Sequence, residues 1–257
     1  MAAHANVRRT KLGECMTTDS ESTYYLSRVD KYWKQLGRLF NSSKKILPKY
    51  TGVELVENIG DETYDEFKIV LAELPFIGGD ENILVFIFVS SAAALAYMRV
   101  LEKYGFPVET IGSILNEVYA DVYASLPGFV KWLLRRSEFS ASHRTKLKAF
   151  AKESQVRKYP ANWVMEYVEG DGVEFDYGCN YTECAVLKFY RAMSAEKYMP
   201  YVCVMDLTAS NALLTGLHRT TTLCYGGKCC DFRYKKNRPS PPGLPLEDLP
   251  EFMNRRS

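Results

Sequence analysis

Over residues 23–156 the apolar positions recur at spacings of three and four, and from Trp163 onward they alternate with polar ones. The first period belongs to a helix with one buried face, the second to a strand with one buried face. Tyr25, Leu26, Val29, Tyr32, Trp33, Leu36, Leu39 and Phe40 predict an amphipathic helix over 23–47, ended by Pro48. Asp61 is placed to cap a second helix running to Leu74, which Pro75 and a Gly78-Gly79 turn close. Residues 82–104 are apolar almost all round and predict the central buried helix, stopped at Gly105-Phe106-Pro107. Helices over 108–123, 129–136 and 142–156 follow, the last basic on its outer face and carrying His143 at an expected surface position.

Trp163, Met165 and Tyr167 then alternate with Val164, Glu166 and Val168, and Glu169-Gly170-Asp171-Gly172 reads as a hairpin turn into Val173, Phe175 and Tyr177. Asn180-Tyr181-Thr182-Glu183 has the form of a capping box opening a helix over 183–193. Pro200 starts a further helical turn that sets Cys203 and Asp206 on neighbouring positions of one face.

Gly226-Gly227, between strand-favouring runs over 217–225 and 228–234, predicts a second hairpin with a two-residue loop. In that register Arg219, Thr221, Leu223, Cys230, Phe232 and Tyr234 share a face directed at the core. His218, Thr220, Thr222, Cys224, Cys229, Asp231 and Arg233 take the other; a one-residue bulge would exchange the two. A buried Arg219 needs an anion, from a protein carboxylate or from a ligand.

The expected fold class is α+β: an N-terminal helical layer packed on a C-terminal antiparallel sheet built from two β-hairpins with an intervening helix. The chain is expected to divide into a disordered tail over 1–22, a helical region over 23–160 and an α+β core over 161–236, continuous with the helices from about residue 60. Residues 237–257 follow as a tail rich in proline and too poor in apolar residues to fold alone.

Composition narrows the function classes. Of the 257 residues 47% are hydrophobic and 25% charged, ordinary for a globular protein. A net charge of only +2 gives no electrostatic case for nucleic acid or a membrane surface. The apolar run over 83–98 is broken by Ser90-Ser91 and is shorter than the ~20 residues a bilayer requires. The first 22 residues lack the apolar stretch of a secretion signal, and seven cysteines, an odd number, then read as reduced thiols in a cytoplasmic protein. The expected partner is a small-molecule substrate; nothing in the chain marks an oligomer interface.

Six of the seven cysteines fall between Gly178 and Tyr234. Three blocks there and upstream carry a likeness: Leu74-Pro-Phe-Ile-Gly-Gly79 with the Ala-rich helix after it; Asp176-Tyr-Gly-Cys-Asn-Tyr-Thr-Glu-Cys184; and Cys203-Val-Met-Asp206 running on to Arg219-Thr-Thr-Thr-Leu223 and Gly226-Gly-Lys-Cys-Cys-Asp-Phe232. Through them the stretch from Tyr64 to Tyr234 resembles the L-2-amino-thiazoline-4-carboxylic acid hydrolase family. That resemblance implies an enzyme without a cofactor that opens a cyclic amidine-like thiazoline ring with water, giving an N-carbamoyl cysteine. The N-terminal helices, the Pro-rich tail and the additional Cys179, Cys224 and Cys229 depart from a minimal member and bear on the substrate more than on the fold.

Ring opening needs an activated nucleophile, a proton donor to the departing atom and a holder for the substrate. Cys184, Cys203 and Cys230 match the three cysteines the resemblance implies, and one can attack as a thiolate. Asp206 or Glu183 can move protons, Arg219 can clamp a carboxylate, and Thr221, Asp231 and Tyr181 join it as expected substrate contacts. Against these roles, a buried free cysteine is more often a small hydrophobe, Glu183 can be only a helix cap, and Arg219 can simply pair with Asp206. Zinc on Cys184, Cys203 and Cys230 with Asp206 or His218 is set aside because no C-x-x-C knuckle occurs. Two rival classes stand beside the hydrolase: a cyclase, isomerase or lyase of specialised metabolism, and a ligand-binding module related to vinyl reductases.

Overall fold

The computed structural model describes residues 23–254; the tail expected over 1–22, with His4 and Cys15, lies outside the described residues. Seven helices come first: α1 (Val29–Gln35), α2 (Gly37–Ile46), α3 (Glu54–Ala72), α4 (Val85–Lys103), α5 (Val108–Ala124), α6 (Gly128–Glu138) and α7 (Ala141–Ser154). Then follow β1 (Val164–Glu169), β2 (Tyr177–Glu183), α8 (Ala185–Ala192), α9 (Met199–Cys203), α10 (Met205–Leu213), β3 (Cys230–Tyr234) and α11 (Pro250–Met253). The fold is α+β, with one antiparallel sheet in the order β1-β2-β3.

The central helix is α4. Its small residues Ala92, Ala93, Ala94 and Ala96 are buried, which lets α3, α5 and α8 approach its backbone closely. Phe88 on α4 meets Trp163 and Phe189 edge-on at 5.6 and 5.8 Å, and the Tyr190 hydroxyl of α8 donates to the Ser91 carbonyl at 2.7 Å. Among the described residues α4 alone is long and apolar enough to cross a membrane, and most of it is buried in the protein.

In the sheet, cross-strand partners Tyr177 and Tyr234, Cys179 and Phe232, and Tyr181 and Cys230 fall on one face. Tyr177 and Tyr234 stack with ring centres 4.9 Å apart, and Tyr181 meets Phe232 edge-on at 5.4 Å.

Several expected elements are redrawn. The helix over 23–47 is two helices, broken at the buried Leu36, and Asp61 lies inside α3, which starts earlier, at Glu54. The first hairpin has a longer loop than four residues. Asp171 Oδ1 accepts the amides of Val173 and Glu174, both at 2.8 Å, so these residues bond a side chain where a ladder partner would have been. The capping box at 180–183 is not formed: those residues stay in β2, paired to both neighbours as far as Tyr181, and Cys184 stands at the start of α8.

The second hairpin is replaced by a looser arrangement. Only His218 bridges Arg233, while Leu223–Tyr225 curls into a 3-10 turn and β3 pairs with β2 instead. Asp231 explains the break. Its Oδ1 accepts the amides of Thr220 and Thr221, both at 2.8 Å, taking the place of ladder carbonyls. Gly226 has the positive φ of 80° that the Gly-Gly pair implied, and a Cβ on Gly227 would stand 2.0 Å from Thr221 Oγ1.

The Pro-rich segment is also corrected. Rather than a free tail, it packs back on α10: Ser240 Oγ donates to Ser210 Oγ at 2.7 Å, and Leu249 is buried with Val204, Leu207 and Leu217.

Candidate functional site

Between the inner face of the sheet and helices α4, α5 and α10 lies a cavity of about 390 Å³. Its walls are mostly apolar, and the half-exposed Phe86 and Ile87 stand at its rim. A second cleft beside Tyr159, about 50 Å³, holds none of the expected site residues.

The large cavity gathers Tyr181 of β2, Cys184 at the start of α8, Cys203 of α9, Asp206 of α10, Arg219 from the segment before β3 and Cys230 of β3. It leaves out three other expected residues. Glu183 turns to the opposite side, where its carboxylate pairs with Arg157 and Lys188. Asp231 is consumed by the Thr220 and Thr221 amides, and Thr222 lines the wall in place of Thr221.

Arg219 is the buried cation of the site. Its Nε donates to Glu251 Oε1 at 2.7 Å, its Nη2 to the Cys203 carbonyl at 3.0 Å, and its Nη1 faces Asp206 Oδ2 at 3.5 Å. The anion demanded by a buried guanidinium is thus a protein carboxylate. Glu251 comes from α11, in the segment expected to be a tail, and no local pattern around it marks the pairing.

Asp206 differs from Glu251 in facing open space. Its side chain keeps 48% of its surface accessible, within the cavity, whereas Arg219 keeps 1%. Desolvation by the surrounding protein raises its carboxyl group to about 6, and the nearby Arg219 charge only partly offsets this. A second carboxylate, Glu138 at the end of α6, also lines the cavity and accepts the Tyr177 hydroxyl at 3.1 Å. Burial raises it too. Helical periodicity gave no signal for Glu138, because a polar residue at the last turn reads as solvent-facing.

The thiols are held protonated. Burial pushes Cys184 up to about 12 against the pull of the Val186 and Leu187 amides, and it drives Cys230 up as well. Cys203 is raised first by its hydrogen bond with Cys224, then by burial. Among the described residues no group of three or more His, Cys, Asp or Glu is disposed to hold a metal ion. Two wall hydroxyls, Ser90 Oγ and Thr222 Oγ1, are buried without a hydrogen-bond partner in the protein.

No curated protein and no solved structure matches the chain. The sequence profile of one family does, over residues 92–234, a stretch that runs from within α4 through β3 and holds every residue lining the cavity except Leu84, Phe86, Ile87, Ser90 and Ser91. That match covers more than half of the chain, and the chain belongs to the L-2-amino-thiazoline-4-carboxylic acid hydrolase family.

Proposed function

We propose that the chain is a hydrolase that opens a cyclic amidine-like ring, with Asp206 as its proton-transfer group. The observation that carries this reading is the pairing of opposites at the cavity floor. Arg219 is shared between Glu251 at 2.7 Å and Asp206 at 3.5 Å, so the three side chains carry one net negative charge when ionised, and Asp206 is the carboxylate of the two that faces the open space. A carboxylate so placed attracts a protonated amidine, and a pKa of about 6 suits a base that works near neutral pH.

In this mechanism a water molecule lies between Asp206 and the amidine carbon. Asp206 takes one proton as the water oxygen bonds to carbon. For a thiazoline, the carbon–sulfur bond then breaks, Asp206 returns its proton to the departing sulfur, and the surplus proton of the amidinium leaves to solvent. The product carries a new carbamoyl group and a free thiol. The protonated cysteines serve as a weakly polar wall and as donors, not as the attacking group. A reducing cytoplasmic setting agrees with the six free cysteines among the described residues.

Incubation of 2-aminothiazolines in oxygen-18 water tests the reaction type. Label in the carbamoyl oxygen supports hydrolysis. Turnover to an unlabelled product points instead to cyclisation or isomerisation and removes the hydrolase reading.

A further inference from the structure

We infer that the substrate is an amphipathic molecule, a cationic amidine-like head joined to an apolar body, rather than a compact ring bearing one carboxylate. The inference rests on the cavity being the substrate site, as proposed above, and adds what the rest of that cavity is for. A space of about 390 Å³ lies in the range of roughly 300–1,000 Å³ that encloses drug-sized ligands. A small thiazoline carboxylate held at Asp206 would leave most of it to water.

That water would face an apolar wall. Beside Asp206, Glu138 and the hydroxyl-bearing residues, the lining includes Leu84, Ala94, Val186, Met199, Val202 and Leu213, none of which offers a side-chain hydrogen bond, and most of the lining surface is apolar. Water in contact with such a lining is displaced favourably by hydrocarbon, so an apolar substituent gains affinity there in proportion to the area it covers. The wall also continues outward to Phe86 and Ile87, which are about half exposed at the rim, so the apolar track reaches the entrance.

The polar end argues against a carboxylate head. Arg219 already donates to Glu251 and to the Cys203 carbonyl, and its remaining cavity-facing nitrogen stands beside Asp206. An incoming carboxylate at that nitrogen would sit against the Asp206 carboxylate, whereas an amidinium would be drawn to it. Met205 and Met199 also line the cavity and are adaptable surfaces for an irregular body.

The test is a titration calorimetry series on the full chain with four probes: acetamidine, benzamidine, 4-hexylbenzamidine and the neutral 4-hexylbenzamide. The expected result is that 4-hexylbenzamidine binds roughly tenfold or more tightly than benzamidine, as its added methylenes are buried. Ala209→Trp, which fills the cavity from α10, should erase that advantage, and Ala94→Phe from α4 provides a second filled variant if the first does not fold. Equal affinity for benzamidine and 4-hexylbenzamidine in the wild type, or no binding by any of the four, overturns the inference. If 4-hexylbenzamide binds as well as the amidine, the apolar body is supported while the role given to Asp206 falls. Preference for acetamidine over all larger probes would reject the apolar body and keep the Asp206 reading.

Discussion

Arg219 Nε donates to Glu251 Oε1 at 2.7 Å, and each of the two side chains retains only 1% of its surface. The pair joins the segment before β3 to α11 and fixes Arg219 in the cavity wall. With the arginine's charge satisfied inside the protein, the chemistry passes to the neighbouring Asp206.

Removing Glu251 should therefore leave a stranded guanidinium. Breaking a buried ion pair at one partner costs about 3–5 kcal/mol. Glu251→Ala is expected to lose about that much in urea denaturation, and Arg219→Met with Glu251→Met to recover most of it. A loss below about 1 kcal/mol for Glu251→Ala, as for a surface pair, would contradict the account.

Thr222 offers a different signature. Its Oγ1 is buried with no partner in the protein, so exchange for the isosteric Val should leave the unliganded fold unchanged or more stable by about 1 kcal/mol. The same change should raise KM if the hydroxyl meets substrate. Denaturation and steady-state kinetics on one preparation measure both, and a destabilised Thr222→Val with unaltered KM would make the residue structural.

Much of this arrangement was legible in the residues, and the failures have physical causes. Arg219 and Cys230 were expected on one face, and both line the cavity, although the expected hairpin did not form. A two-residue Gly226-Gly227 loop sets His218 opposite Lys235, whereas His218 bridges Arg233, and a shift of two preserves the alternation of faces. Thr221 and Thr222 exchanged places because the side chain of Asp231 supplied acceptors that the pattern assigned to backbone. Glu251 was illegible for another reason. It lies 32 residues from Arg219, in a run whose prolines read as extended chain, and its burial depends wholly on what α10 and the Arg219 segment present to it.

The cysteines carry a negative expectation. With Cys184 raised to about 12 and Cys203 and Cys230 also raised, almost no thiolate exists at neutral pH. Cys184→Ser and Cys230→Ala should keep most of the turnover, and short incubation with iodoacetamide at pH 7 should leave these three sites unmodified by mass spectrometry. A covalent substrate adduct trapped on any of them would restore nucleophilic catalysis.

Asp206 also sets a pH dependence of stability. Its folded value of about 6 lies above the unfolded value near 4, so the unfolded chain releases this proton first as pH rises. Its contribution to stability is present below pH 4 and is lost as pH climbs through about 6. Asp206→Asn should accordingly be more stable than the wild type at pH 7.5 and lose that advantage at pH 4; an equal advantage at both would place the carboxylate in an unperturbed setting.

The central claim is that Asp206 is the base that activates water in the cavity, and the pH profile of kcat/KM for the best aminothiazoline substrate tests it most directly. The wild type should show an acid limb with an apparent pKa near 6, and Asp206→Asn should lower kcat/KM by about 10²–10⁴-fold and abolish that limb. An Asp206→Asn enzyme with undiminished turnover and the same acid limb would contradict the account.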